Sequence, residues 1–224
     1  MSGFFRPMAA ILWKDLLLEL RTRDVVASLF IFALLVVVIF NFALDPAPEL
    51  VAVTAPGIVW VAFAFSGMLG LNRGFVMEKE QGTMDGLLLS PAGREAIYVG
   101  KLLASFLFMV LMEIMIYPVF AALFNLPFFL PSFIAISLAS TLGFAAVGTV
   151  FSATAVNTRS RDIMLPLLLM PVTVPVFLGA VKVTGNALAG EGWAASASWF
   201  QLVAIFDILF LVVAAFLFEY VLEE

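Results

Sequence analysis

Two acidic residues interrupt otherwise apolar stretches of this chain, and they are the side chains best placed for chemistry inside a membrane. Glu113 stands within residues 96–124 and Asp207 within residues 200–218. A carboxylate in hydrocarbon costs several kcal/mol unless it is solvated or paired. The two acids could therefore meet, face an outward-opening cavity, reach the outer interface or hydrogen-bond to a neighbouring helix. Counted from the ends of these runs, both lie in the outer half of the membrane.

The absence of cysteine and histidine limits the catalysis and metal binding open to this chain. Neither a disulfide, a thiolate nucleophile, a Cys/His zinc site nor a Ser-His couple can form. Haem iron would find only the weaker ligands methionine and tyrosine, the latter at Tyr98, Tyr117 and Tyr220. We therefore expect no enzymatic activity and no metal site, and we expect haem only as a transported or handled ligand.

The composition is that of a membrane protein. Hydrophobic residues make up 64% of the 224 positions and charged residues 12%, with a mean hydropathy of +1.15. Soluble domains are about half apolar and about a quarter charged. No basic patch exists outside the loops next to the apolar runs, so a nucleic-acid partner is not expected. The sequence predicts an all-α, multi-pass protein of the lipid bilayer.

Six apolar runs of spanning length follow a charged N-terminal segment. Residues 1–24 are too charged for a signal peptide. Their apolar side chains share a helical face, which favours an interfacial helix over a soluble extension; these are Ala9, Trp13, Leu16, Leu17 and Leu20. Residues 25–224 form one domain whose predicted spans are about 25–44, 51–71, 96–124, 132–156, 163–181 and 200–218. A connection rich in Gly, Ala and Ser is predicted over residues 182–199.

The distribution of lysine and arginine predicts the orientation of these spans. In a six-span arrangement ten of the eleven basic residues lie on one side, and Lys182 alone lies on the other. The positive-inside bias then places both termini in the cytoplasm. Trp193 and Trp199 would lie near the outer interface, where aromatic residues are enriched.

Two further patterns concern helix packing. Pro166, Pro171 and Pro175 fall within the fifth span, where they predict either a hinge or a static kink. Ala139 and Gly143 lie in the fourth span at four-residue spacing, which permits close approach of a neighbouring helix.

The segment of residues 73–91 cannot lie in hydrocarbon, and its residues predict a short helix of its own. Gly82 can end a helix that continues from the second span. Thr83 can serve as the N-cap of the new helix, and Asp85 lies in its first turn, where the helix dipole favours an acid. Ser90-Pro91 is predicted to close it and to begin the next helix, with Ser as N-cap and Pro at the first position.

This short helix has one apolar face, because Met84, Leu87 and Leu88 recur at i, i+3 and i+4. A plain solvated loop needs neither that face nor the glycines Gly82 and Gly86. We therefore predict a cytoplasmic docking helix that presses into a groove of a partner protein. The alternative is a solvated loop whose acids satisfy topology alone.

The segment resembles the coupling segment of the membrane subunits of ABC-2-type exporters, in which an interfacial helix precedes six spans. The positions that match the superfamily pattern are Glu78, Glu80, Gly82, Thr83, Met84, Asp85, Leu87, Leu88, Ser90 and Pro91. The resemblance implies an ABC-2-type permease fold, N-in and C-in, that is driven by ATP bound to a partner subunit.

A narrower resemblance covers nearly the whole chain. Residues 55–62 (APGIVWVA), followed by Arg73 and the coupling segment, are similar to the CcmB family, the haem exporter B subunits of cytochrome c maturation. That resemblance implies a homodimeric permease core in the inner membrane with a cytoplasmic ATPase, CcmA. It also implies the membrane proteins CcmC and CcmD and the periplasmic haem chaperone CcmE as partners.

The expected function is energy coupling: ATP on the partner moves the docking helix, and the spans relay that movement to haem delivery or to release of the haem-loaded chaperone. A first alternative is an ABC-2-type exporter of a lipid, glycan or drug. A second is a scaffold or passive channel without a motor, and an intramembrane enzyme is a third, disfavoured by the lack of a nucleophile and base.

Overall fold

The computed structural model describes residues 2–21, 23–43, 48–80, 82, 86, 89–127, 129–156, 158 and 161–221, and every regular element within them is an α-helix. We number the helices in chain order. They are α1 Ser2–Arg21, α2 Arg23–Ala43, α3 Pro48–Glu80, α4 Arg94–Phe124, α5 Pro131–Ala155, α6 Arg161–Leu188 and α7 Trp193–Val221. The predicted all-α class is confirmed for the described residues.

Six of these helices are long and apolar enough to cross a membrane, which agrees with the predicted number of spans. The qualifying stretches are Val26–Ala43, Val53–Lys79, Arg94–Phe124, Pro131–Ala155, Ile163–Leu188 and Trp193–Phe218. The chain is therefore a multi-pass membrane protein. α3 differs from its predicted end, since it continues nine residues beyond residue 71 to Glu80.

The predicted connection over residues 182–199 is wrong, because α6 and α7 are joined by a turn of only four residues, 189–192. The N–H of Glu191 bonds to the carbonyl of Asn186 at 2.9 Å, and the N–H of Gly190 to that of Ala187 at 3.1 Å. Gly190 has φ +74, so this is a Schellman ending, which needs a left-handed residue at this position. One glycine suffices to reverse the chain, and the neighbouring small residues remain helical.

α5 lies at the centre of the bundle. Of the residues in its candidate membrane span, 72% are buried inside the protein, against 22% for α7 and 17% for α2. Its small residues allow neighbours to approach closely: a Cβ added at Gly148 would lie 2.3 Å from Leu71 Cδ1 of α3. Gly143 makes a similar approach to α7, in agreement with the predicted close packing of this helix.

Helices α3 and α6 are joined by a buried hydrogen bond within an aromatic cluster. Trp60 Nε1 donates to Thr184 Oγ1 at 2.9 Å. Trp60 packs edge-on against Phe63 and also contacts Phe177. α6 remains helical through its three prolines.

α1 packs against the bundle through a residue that lies off its predicted apolar face. Ile11 is buried, and a Cβ added at Gly100 of α4 would lie 3.0 Å from Ile11 Cβ. Trp13 and Leu20 of the predicted face are exposed on the outside of the bundle. α1 thus has one apolar side turned to the protein and another available to the membrane interface.

Candidate functional site

Within the segment of residues 73–91, α3 ends just before a glycine. The N–H of Gly82 donates to the carbonyl of Lys79 at 3.1 Å, and Gly82 has φ +66, a left-handed conformation that favours glycine. The predicted helix break at Gly82 is therefore confirmed. α3 ends at Glu80, two residues before Gly82.

The predicted docking helix lies largely outside the described residues. This applies to its N-cap and to its whole apolar face, that is, to Thr83, Met84, Asp85, Leu87 and Leu88. Gly86 is described and exposed. The docking helix therefore stays a prediction, and the structure describes what lies before and after it.

The predicted start of the next helix at Ser90-Pro91 is wrong. α4 begins at Arg94, with Gly93 as its N-cap in an extended conformation. The Gly93 carbonyl accepts hydrogen bonds from the N–H groups of the third and fourth residues after it, at 2.9 and 3.2 Å. Ser90 instead accepts a hydrogen bond at Oγ from the N–H of Ala92, at 3.4 Å, within a bend. Two residues, Ala92 and Gly93, thus separate the segment from α4.

Glu78, two residues before the end of α3, faces the interior of the protein. Its side chain is 3% exposed and accepts hydrogen bonds from Lys14 of α1 and from Lys101 of α4. A docking residue would instead be turned towards its partner. Glu78 therefore fixes the end of α3, just before Gly82, to α1 and α4. The Glu80 side chain is outside the described part of the structure.

Four charged residues, Lys14, Asp15, Glu78 and Lys101, form one cluster between α1, α3 and α4. Asp15 lies 2.9 Å from Lys14 Nζ and 3.5 Å from Lys101 Nζ. Lys101 Nζ also lies 4.6 Å from the centre of the Phe75 ring, in a cation–π position. Burial lowers the pKa of Lys14, but its bonds to Glu78 and Asp15 outweigh that effect and leave the pKa raised. We call these four residues the Glu78 cluster.

Glu19 lies beside the Glu78 cluster and makes no ion pair with any side chain that the structure describes. Burial, together with the negative charge of Asp15, raises the pKa of Glu19 to about 8. Its Oε2 atom is buried and has no hydrogen-bond partner among the described side chains. Both acids line a cavity of about 30 Å³ next to Glu78 and Lys101, which is room for one or two waters.

Lys79 links the same end of α3 to the central helix. Its Nζ atom donates to the carbonyl of Val156 at 2.9 Å. Val156 is the C-cap of α5, so the ammonium group lies at the negative end of the α5 dipole.

The two membrane acids are held separately. Glu113 accepts a hydrogen bond from Thr141 Oγ1 of α5 at 2.5 Å. Tyr117, one turn along α4, shares a hydrogen bond of 3.0 Å with Ser137 of α5. Glu113 thus belongs to a buried polar network that joins α4 to α5, which is the hydrogen-bonded alternative among those that the sequence left open.

Asp207 packs against a different side of α5. A Cβ added at Gly143 would lie 2.1 Å from Asp207 Oδ1. Thr141, which binds Glu113, and Gly143, which contacts Asp207, are two residues apart on α5. Two residues correspond to about 200° around a helix, so the two acids lie on different sides of α5. Asp207 is also deeper than predicted: it lies fourteen residues from each end of α7, because α7 begins at Trp193.

The buried lysine is the functional candidate that sequence reasoning missed. The predicted topology groups Lys101 with the basic residues on one side of the membrane, near the start of the predicted span 96–124. In the structure Lys101 is only 4% exposed. The sequence did contain a signal for this pairing. Glu78 lies near the end of α3 and Lys101 near the start of the next helix, α4, so the two opposite charges are at similar depths in the bundle. At the other end of the bundle, Trp193 is exposed and stacks on Phe200 with ring centroids 5.3 Å apart.

Comparison with known proteins identifies the family. The family described as "CcmB protein" matches residues 6–224, nearly the whole chain. The chain belongs to the CcmB family. Heme exporter protein B of Rhodobacter capsulatus is 30% identical to it over 186 residues, covering 82% of this chain and 84% of that protein. Heme exporter protein B of Pseudomonas aeruginosa is 29% identical over 203 residues, covering 88% and 90%.

The match confirms the family resemblance and includes every residue of the candidate site. The Glu78 cluster, the coupling segment and both membrane acids of this CcmB-family chain fall within residues 6–224. Among the described residues no group of three or more Asp or Glu side chains could hold a metal ion.

Proposed function

We propose that this CcmB-family chain is the permease subunit of an inner-membrane ABC transporter that serves haem export and c-type cytochrome maturation. In this proposal it is not catalytic, and ATP is hydrolysed by a CcmA-like partner in the cytoplasm. The names of its relatives, heme exporter protein B, support the haem-related class. The observation that carries the coupling role is the Glu78 cluster, which ties the root of the coupling segment to two other helices.

The Glu78 cluster supplies a physical route for the coupling. Glu78 lies four residues before the glycine at which α3 ends, so a force on the segment acts directly on this carboxylate. Separating Glu78 from Lys101 would break a buried ion pair, and we expect a cost of about 3 kcal/mol, because Lys14 stays bonded to Glu78 and Asp15 stays near Lys101. A push on the segment therefore moves α1, α3 and α4 together rather than pulling one helix out.

The proposed assembly follows from topology and family. The Lys and Arg distribution supports cytoplasmic termini and a cytoplasmic coupling segment. A homodimer with CcmC-like and CcmD-like membrane proteins would then face the CcmE-like haem chaperone across the membrane. Movement relayed through the spans would deliver haem or release the loaded chaperone.

Two of the three tyrosines, Tyr98 and Tyr117, favour energy coupling over direct ligation of haem, and the side chain of Tyr220 is outside the described part of the structure. Tyr98 is 2% exposed, and its hydroxyl group donates to the Ala146 carbonyl at 3.3 Å. Tyr117 is also buried and is bonded to Ser137. Neither phenol is presented to a ligand entering from outside the bundle.

A charge on the apolar face of the docking helix tests this proposal. Leu87→Asp is expected to abolish co-purification of the ATPase with the full chain and to remove c-type cytochromes from the cell. Leu89→Asp is the matched control, because Leu89 lies off the predicted apolar face and is 87% exposed. Normal association and cytochrome yield in Leu87→Asp would refute docking, whereas ATPase stimulation by a lipid, glycan or drug without any haem protein would favour the alternative exporter.

A further inference from the structure

One oxygen of the Asp207 carboxyl group, Oδ1, occupies a space that fits it but that offers it no donor among the described residues. The residue is 6% exposed at the midpoint of α7, and its Oδ1 atom has no hydrogen-bond partner in the part of the chain that the structure describes. Oδ1 fills the space that Gly143 leaves open. The nearest contact on that side is therefore a glycine backbone, which can give no more than a weak C–H interaction.

The helices packed against α7 bring no counter-charge to this site. α5 carries no titratable residue. On α4, Glu113 is turned to another side of α5 through its bond to Thr141. On α6, Lys182 lies six residues from the outer end of its helix and Asp207 fourteen from the adjacent end of α7, a difference in depth of about 12 Å.

The other charged residues of these two helices belong to their opposite ends, far from the turn 189–192. They are Arg94, Glu95 and Lys101 on α4 and Arg161 and Asp162 on α6. Of the tyrosines on α4, Tyr98 contacts Phe218, eleven residues along α7 from Asp207, and Tyr117 contacts Phe133.

We infer that Asp207 is a proton-binding site at the centre of the membrane. The bound proton resides on Oδ2, which leaves Oδ1 as the carbonyl oxygen against Gly143. An ionised carboxylate in the same place would have no donor at Oδ1 and no counter-charge from the helices packed against α7, and burying an unpaired charge costs several kcal/mol. The neutral acid therefore belongs to the packed arrangement of α5 and α7.

This site gives the α5–α7 contact a defined response to pH. If the two helices separate and admit water, the acid ionises and its proton leaves with the solvent. Raising the pH therefore favours separation, and lowering it favours the packed arrangement. The response needs no other titrating group, since α5 has none.

Infrared difference spectroscopy of the full chain in lipid bilayers tests the inference. Subtracting the spectrum of Asp207→Asn from that of the unmodified protein at neutral pH should reveal a carboxylic-acid C=O band at the frequency of a carbonyl without a hydrogen bond. Glu113→Gln is the internal comparison. Any acid band that it removes should lie at a different, hydrogen-bonded frequency, because Thr141 donates to Glu113.

Two outcomes decide the matter. Loss of carboxylate bands, rather than of an acid band, in Asp207→Asn would show an ionised residue and overturn the inference. Should Asp207→Asn fail to fold, the unmodified chain is treated with dicyclohexylcarbodiimide, which attacks protonated carboxyl groups in apolar surroundings. Modification of Asp207 at neutral pH supports the inference, and its complete absence contradicts it.

Discussion

Replacing Lys101 by methionine should destabilise the protein far more than the same change at Lys14. Both lysines bind Glu78, but the Lys101 side chain is 4% exposed and the Lys14 side chain 45%. Methionine preserves most of the volume, so Lys101→Met chiefly removes a buried partner, at a cost of about 3–5 kcal/mol. Because Lys14 remains bonded to Glu78, we expect the lower end, about 3 kcal/mol, or roughly a hundredfold in the folding equilibrium constant. Lys14→Met should cost about 0–1 kcal/mol, as for exposed pairs.

A double-mutant cycle isolates the interaction that matters. Equilibrium denaturation in mixed micelles gives the free energy of unfolding for Lys101→Met, for Glu78→Gln and for both together. The double variant should lose less than the sum of the single losses, by about 1–3 kcal/mol, because it leaves no unpaired buried charge. Additivity within about 0.5 kcal/mol, or equal losses at Lys14 and Lys101, would show that the Glu78 cluster does not hold the helices together.

Three further changes test other contacts. Glu19→Gln should remove a pH dependence of stability. The pKa of Glu19 is about 8 in the folded protein, above the ordinary value, so denaturation curves should show the unmodified protein losing stability as the pH rises from about 4.5 to about 8. An equal slope in the variant would contradict this. Thr184→Val leaves Trp60 Nε1 without its acceptor and should cost about 1 kcal/mol by unfolding in micelles, whereas no loss would mean that the bond is replaced. Gly148→Ala forces a Cβ to 2.3 Å from Leu71 and should cost about 1–3 kcal/mol; a melting temperature at or above that of the unmodified protein would show that Leu71 can move aside freely.

The number of spans could be predicted from the sequence, but two of their ends could not. Six windows of apolar residues are enough to count the helices. The predicted end of the second span at residue 71 is too early because a charged segment is expected to leave the hydrocarbon, whereas the bonds of Glu78 to Lys14 and Lys101 let this charge stay buried on α3. The turn after α6 was placed too early because a stretch rich in Gly, Ala and Ser resembles a loop, and the reversal depends on Gly190 alone.

The partners within the candidate site could not be read from one sequence. Lys14 and Glu78 are 64 residues apart and Lys101 and Glu78 are 23 apart, so their pairing depends on how α1 crosses α3 and α4. The position of Gly82 as a helix end could be predicted, because it follows from local backbone preference. The depth of Asp207 could not, since it depended on where α7 begins.

The hydrogen bond from Lys79 to the C-cap of α5 and the ion pairs of the Glu78 cluster hold the end of α3 with different strengths. A cation at a helix C-terminus contributes about 0.3–1 kcal/mol, much less than the cost of breaking the Glu78 cluster. Through these charged contacts the end of α3 is held more strongly to α1 and α4 than to α5, although Leu71, further back on α3, packs closely against Gly148 of α5. If the segment after α3 is pushed, α1, α3 and α4 would therefore move together. The sliding would occur where these helices meet α5.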